Sequence, residues 1–207
     1  MNYLAHLYLS GNTQEIIVGN MMEDYIHGRI DHPRNNHLNS ILKIGVQLHR
    51  NIDVFTDSHP IIKESKSFFH ADFDRYAPII IDVLFDHYLL INWEKYSSEE
   101  NQLFRKRIYE AFTNHYTILP PKMQLLIDSM ITHDWLKNYK EIWGIERALM
   151  NISNRLSHKV DLTKAIPVFL ANYEAIGKHF EDFFPQMIEH CDNFLIENNV
   201  EKISRSF

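Results

Sequence analysis

Cysteine is all but missing from this 207-residue chain. Cys191 stands alone, so no intrachain disulfide can form, which suits a reducing cytoplasm. It falls in a polar C-terminal stretch, which argues against a cysteine nucleophile. Glycine and proline are scarce too, at six and seven residues, and this speaks against an all-β fold built on tight turns. No apolar run reaches the roughly 18 residues that a membrane-spanning helix needs. The opening Met-Asn-Tyr-Leu-Ala-His lacks the basic start and long apolar core of a signal peptide. Positive charge is in deficit: 21 Lys and Arg against 27 Asp and Glu leave a net charge of −6. Composition therefore points to neither a nucleic acid nor an anionic membrane as partner. Four familiar catalytic signatures are absent: Gly-x-x-x-x-Gly-Lys, Gly-x-Gly-x-x-Gly, His-Glu-x-x-His and Gly-x-Ser-x-Gly.

What is present is apolar and helical. The 45% of hydrophobic residues suffices for a core, and the length fits a single domain over residues 1–207. No convincing run of alternating β-branched residues occurs, so the fold class is all-α, a compact helical bundle. Periodicity and capping signals predict helices over about 2–10, 13–27, 37–55, 60–71, 78–93, 98–117, 121–133 and 141–157. Another starts near 162 with a restart at Pro167, and a last one is interrupted near Pro185. Asp57 or Ser58 is expected to cap the helix opened by Pro60. Ser97 and Glu100 have the spacing of a capping box, and Arg105-Lys106-Arg107 reads as a solvated face. The tail after Asn198 is polar and is expected to fray.

The stretch from Pro78 to Trp93 is nearly all apolar yet contains Asp82, Asp86 and His87. Burying an unpaired carboxylate costs several kcal/mol, so these groups must either cap helices, pair with arginines or bind a metal. Asp24 is the one acid on the apolar arc of its helix, with Glu23 expected to point elsewhere. His49 and Asp53 lie four apart and share a helix face, as two ligands of one ion would. His6 sits in the first apolar segment, where a satisfied core histidine and a ligand are both tenable. His133-Asp134 is a doublet with a structural reading. Mixed imidazole and carboxylate ligands suit Mn²⁺, Fe²⁺, Zn²⁺ or Mg²⁺. A metal-dependent hydrolase and a non-catalytic helical binding protein with buried ion pairs both fit this spacing.

The motifs Met-Asn-Tyr-Leu-Ala-His-Leu, Gly19-Asn20 with Asp24, and His49-Arg50-x-x-Asp53-x-x-Thr56-Asp57 resemble those of the acyl-carrier-protein phosphodiesterases. Ala77-Pro78-Ile79, Asp82-Val83-x-x-Asp86-His87, Leu119-Pro120, Trp135-Leu136-x-x-Tyr139 and Phe183-x-Pro185 extend the resemblance along the chain. That family is similar to the all-helical HD-type phosphohydrolases, with a non-standard arrangement of metal ligands. The resemblance implies release of the 4′-phosphopantetheine arm from holo acyl carrier protein, with manganese as the favoured ion. It makes Asp24, His49, Asp53, Asp86 and His87 the expected metal site. Arg50 would neutralise phosphate charge, with His6, Asn20, Asp57 and Asp82 in support. The carrier protein is acidic, so docking would require a local basic patch: Lys43, Arg50, Lys63, Lys66 and Arg75, or else Arg105 to Arg107. An HD-like phosphohydrolase acting on a nucleotide or another small phosphodiester is the related alternative. Oligomeric state is left open.

Overall fold

A computed structural model describes residues 1–200, and among these the chain is helical throughout, without a strand. The helices are α1 (Tyr3–Leu9), α2 (Gln14–Met22), α3 (Ser40–Ser58), α4 (Pro60–Ser67), α5 (His70–Phe73), α6 (Ala77–Ile91) and α7 (Trp93–Tyr96). They continue with α8 (Asn101–Asn114), α9 (Pro121–Thr132), α10 (Trp135–Asn138), α11 (Ile142–Ser153), α12 (Ala165–Ala171) and α13 (Tyr173–Glu197). One buried apolar cluster draws side chains from all of them. Among the described residues no helix is long and apolar enough to cross a membrane. The expected polar tail lies, from residue 201 on, outside the described residues.

The central helix is α6, and its composition explains its place. Apolar residues cover every face, so eleven of its fifteen residues are buried. It packs against α1, α4, α11 and α13. Pro78 sits in its first turn, where a missing N–H costs nothing.

The tightest contact joins α2 to α3. A Cβ at Gly19 would collide with the Leu42 carbonyl, and one at Gly45 with the Ile16 carbonyl. Only two glycines let the backbones meet there. This contact carries Asn20 and the α2 C-terminus against the third turn of α3, which holds His49.

Several expected boundaries differ. α13 runs unbroken through Pro185. That proline faces solvent, where water can satisfy the freed carbonyl, while buried Phe183, Phe184, Met187 and Ile188 anchor the helix on either side. α12 likewise accommodates Pro167 in its first turn and stops instead at Asn172, whose side chain donates to the Val168 carbonyl. Neither Asp57 nor Ser58 caps α4. α3 extends through both, and Ser58 Oγ donates back to the Val54 carbonyl at 2.8 Å. Ser97 and Glu100 form no capping box. Ser97 Oγ accepts the Glu99 N–H at 3.2 Å, inside a turn whose Glu99 carbonyl is held by the Trp93 indole. Of the basic run only Lys106 is solvated. Arg105 pairs with Asp134 and Arg107 with Glu99. Asp134 also accepts from the Tyr109 hydroxyl, which gives the His133-Asp134 doublet a structural role.

The glycine contact is testable. Gly45→Ala should lower unfolding free energy by roughly 1–3 kcal/mol, because backbone rather than a side chain must yield. Urea denaturation followed by circular dichroism measures this, and an unchanged midpoint would contradict the close crossing.

Candidate metal centre

The centre is assembled from α1, α2 and α3. His6 and His49 stack, their ring centroids 4.1 Å apart. The buried side chain of Asn20 bridges their Nδ1 edges. Its carbonyl oxygen is 3.0 Å from Nδ1 of His6 and 3.0 Å from Nδ1 of His49. Which way this amide points is decided by its other contacts. Its nitrogen lies 3.3 Å from the His6 carbonyl and 2.9 Å from Ser10 Oγ. A carbonyl can only accept, so the NH₂ group must face it and the amide oxygen must face the rings. Both imidazoles therefore donate from Nδ1; that of His49 also reaches the Asn20 main-chain carbonyl at 2.8 Å.

The consequence appears on the opposite edge of each ring. A neutral imidazole protonated at Nδ1 presents a lone pair at Nε2. Both Nε2 atoms face one carboxylate: Asp53 Oδ1 lies 3.4 Å from His6, and Oδ2 lies 3.3 Å from His49. Lone pairs opposing a carboxylate repel unless positive charge sits between them, as a proton or a cation. Atoms bound to one ion at roughly 2.0–2.2 Å lie about 3.0–3.5 Å from each other, and these separations agree. His6, His49 and Asp53 form one group able to hold a metal ion, and Glu23, Asp24 and His49 form a second sharing a ligand with it.

Electrostatics separate the two rings: His6 is kept neutral, whereas His49 draws positive charge towards the carboxylates. Burial pulls His6 down to about 4, only partly offset by Asp53, so its ring is neutral at physiological pH. Burial acts on His49 in the same direction, but Asp53, Asp24 and Glu23 together hold it above its usual value. The two imidazoles keep Asp53 far below the ordinary carboxylate range in spite of its partial burial. Burial raises Asp24, with the charges of Glu23 and Asp53 adding to it. The cluster opens into a cleft of about 410 Å³ lined by Tyr3, Asp24, Ile79, Asp82, Ile152 and Arg155 among others.

A family model described as acyl carrier protein phosphodiesterase matches residues 1–187. The chain belongs to this family. A Yersinia enterocolitica acyl carrier protein phosphodiesterase is 30% identical over 194 residues, covering 93% of this chain and 98% of its own length. Proteins of the same name from Serratia proteamaculans (29% over 192 residues) and Enterobacter sp. (30% over 196 residues) are similar over 92% and 93% of this chain, and 97% and 98% of their own. No solved structure matches. The expected likeness to HD-type enzymes thus finds no structural match.

Of the site expected from the phosphodiesterase resemblance, His49, Asp53 and Asp24 come together, and His6 and Asn20 join them. Asp86 and His87 do not. Asp86 turns towards α1, where its oxygens accept the amides of Leu4 (2.8 Å) and Ala5 (3.0 Å). It supplies the cap that Asn2 does not, although burial pushes its carboxyl up to about 7. His87 is held by the Tyr139 carbonyl and the Tyr173 hydroxyl, each at 2.8 Å. Asp82 meets the Met1 ammonium at 2.8 Å, and Asp57 pairs with Lys66 on the surface. Arg50 is tied to Glu23 at 2.8 Å and to the Gly28 carbonyl at 2.9 Å.

Glu23 corrects one expectation. A 100° helical wheel turns it away from the site, yet its carboxylate comes within 3.9 Å of His49 Nε2. α2 tightens into a 3₁₀ turn at Glu23–Tyr25, and the 120° step turns Glu23 and Asp24 to flank one imidazole.

Asp86→Ala should leave two buried amides without acceptors and cost roughly 2–4 kcal/mol. It should also raise hydrogen exchange at Leu4 and Ala5 selectively. A Leu4 amide protected as in the parent chain would rule out the capping role.

Proposed function

We propose that this chain hydrolyses the phosphodiester that joins 4′-phosphopantetheine to a serine of holo acyl carrier protein. The products are apo carrier protein and free 4′-phosphopantetheine. Residues 1–207 act as a single helical hydrolase domain. Family membership supports the reaction class. The observation that carries the site is the pair of Nε2 atoms facing the one Asp53 carboxylate.

His6, His49 and Asp53 hold a divalent cation, with Glu23 and Asp24 beside it; Mn²⁺ is the first candidate, ahead of Mg²⁺, Fe²⁺ and Zn²⁺. When bound, such an ion polarises the phosphoryl oxygens and makes water acidic enough to act as nucleophile near neutral pH. The protein's own contribution is positional. Asn20 locks both rings in the ligating tautomer, and Asp86 fixes the start of α1 so that His6 reaches the cluster. The half-exposed Asp53 leaves the cluster open to the cleft, so a protein-borne phosphate can approach. The water oxygen joins phosphorus, the phosphorus–serine oxygen bond breaks, and the proton ends on the serine.

Incubation with holo carrier protein and Mn²⁺ should remove the arm, seen as its mass lost from the intact protein. A chelator should stop conversion and added Mn²⁺ should restore it. His49→Ala and Asp53→Ala should each lower kcat at least about 1000-fold. Asn20→Ala should weaken Mn²⁺ binding roughly 10–100-fold, read by calorimetry. Failure of the parent chain to convert holo protein with Mn²⁺, Mg²⁺ or Zn²⁺ would overturn the proposal.

A further inference from the structure

Resting on that reading, we infer that Arg155 binds the phosphate of the arm and that the groove between α1 and α11 receives the pantetheine portion. The cleft over the metal centre does not end at the cluster. It runs on as a groove between Asn2 and Tyr3 on one side and Ile152 and Arg155 on the other, within the same 410 Å³, and only a small cavity of about 40 Å³ lies behind it, between Trp135, Tyr139 and Arg147. Arg155 stands where the two meet.

Its environment differs from that of the other candidate arginine. Arg50 is committed to a carboxylate and a carbonyl. Arg155 donates from Nε to the Asn151 carbonyl at 3.2 Å and pairs with no carboxylate among the described residues. Its charge is nevertheless felt by three groups of the cavity walls. It hydrogen-bonds the Tyr3 hydroxyl, draws down Tyr3 and Tyr139 against the upward push of burial, and offsets part of the burial of Asp24, which leaves its remaining N–H groups as the donors to spare. A guanidinium with free donor positions at the rim of an acidic metal cluster is placed for an oxyanion that the cluster itself attracts only through its ion. The groove beyond suits the remainder of the arm. The pantetheine chain carries a gem-dimethyl carbon and two amides. Ile79, Ile152 and Leu156 offer apolar walls, and Asn2 offers an amide group along the same cleft.

The inference separates phosphate from arm, and so does its test. Calorimetric titration of the full Mn²⁺-loaded chain with 4′-phosphopantetheine and with pantetheine reads each part. Arg155→Gln should weaken 4′-phosphopantetheine binding at least 10-fold and leave pantetheine binding as in the parent. Ile152→Trp, which fills the groove, should weaken both. Arg155→Gln should also raise KM for holo carrier protein, and Arg155→Lys should restore part of the loss. Arg155 is exposed, so its variants should fold, and circular dichroism checks the Ile152 variant. Equal 4′-phosphopantetheine affinity in Arg155→Gln and parent would overturn the phosphate role. A parent chain that binds neither compound at millimolar concentration would overturn the groove. A parent that converts holo carrier protein while either result holds defeats only this inference; a parent that never converts it defeats the proposed function instead.

Discussion

One carboxamide determines what the buried cluster can do. Asn20 has its amino group committed to the His6 carbonyl and Ser10, which leaves only its oxygen for the two rings. A neutral ring that donates from Nδ1 offers a lone pair from Nε2. Two such lone pairs converge on a half-exposed carboxylate. Neutral imidazoles would repel Asp53 in this arrangement, and a cation reverses the sign of the interaction. The donor set and the hydrogen bonds that support it derive from the donor and acceptor inventory of a single residue.

The scaffold exists to hold three short segments in register around that residue. Two facing glycines allow α2 and α3 to approach until main-chain atoms touch, so Asn20 reaches His49 across 29 positions of sequence. α1 is only seven residues long and could not persist alone. It is pinned by Asp86 at its amides and by Asp82 at the Met1 ammonium, both from α6. Asp86, the most buried acid among the described residues, thus acts on the centre through the backbone: it fixes the helix that carries His6.

Much of the fold was legible in the sequence because helical periodicity and apolar composition are local signals. α6 stood out by its apolar run, and α3 by its stripe of Leu48, Ile52 and neighbours. Pro185 misled because whether a proline breaks a helix depends on which face it occupies, and that is a tertiary fact. The His49–Asp53 pair was visible through its i, i+4 spacing. An acid within an apolar run shows that a partner must exist but not which. For Asp86 that partner is a pair of amides more than 80 residues away, and for His87 it is a carbonyl 52 residues on. Glu23 escaped because the helix changes pitch at that residue.

The central claim concerns proton positions, and two-dimensional ¹H–¹⁵N spectra of the imidazoles read them directly. At neutral pH, metal-free protein should show His6 as the neutral Nδ1–H tautomer, and Nδ1–H should persist on His49. Titration with Zn²⁺ should then move the Nε2 resonances of both rings together, leaving their Nδ1 protons in place. An Nε2–H tautomer at His6, or Nε2 signals indifferent to the ion, would contradict the account.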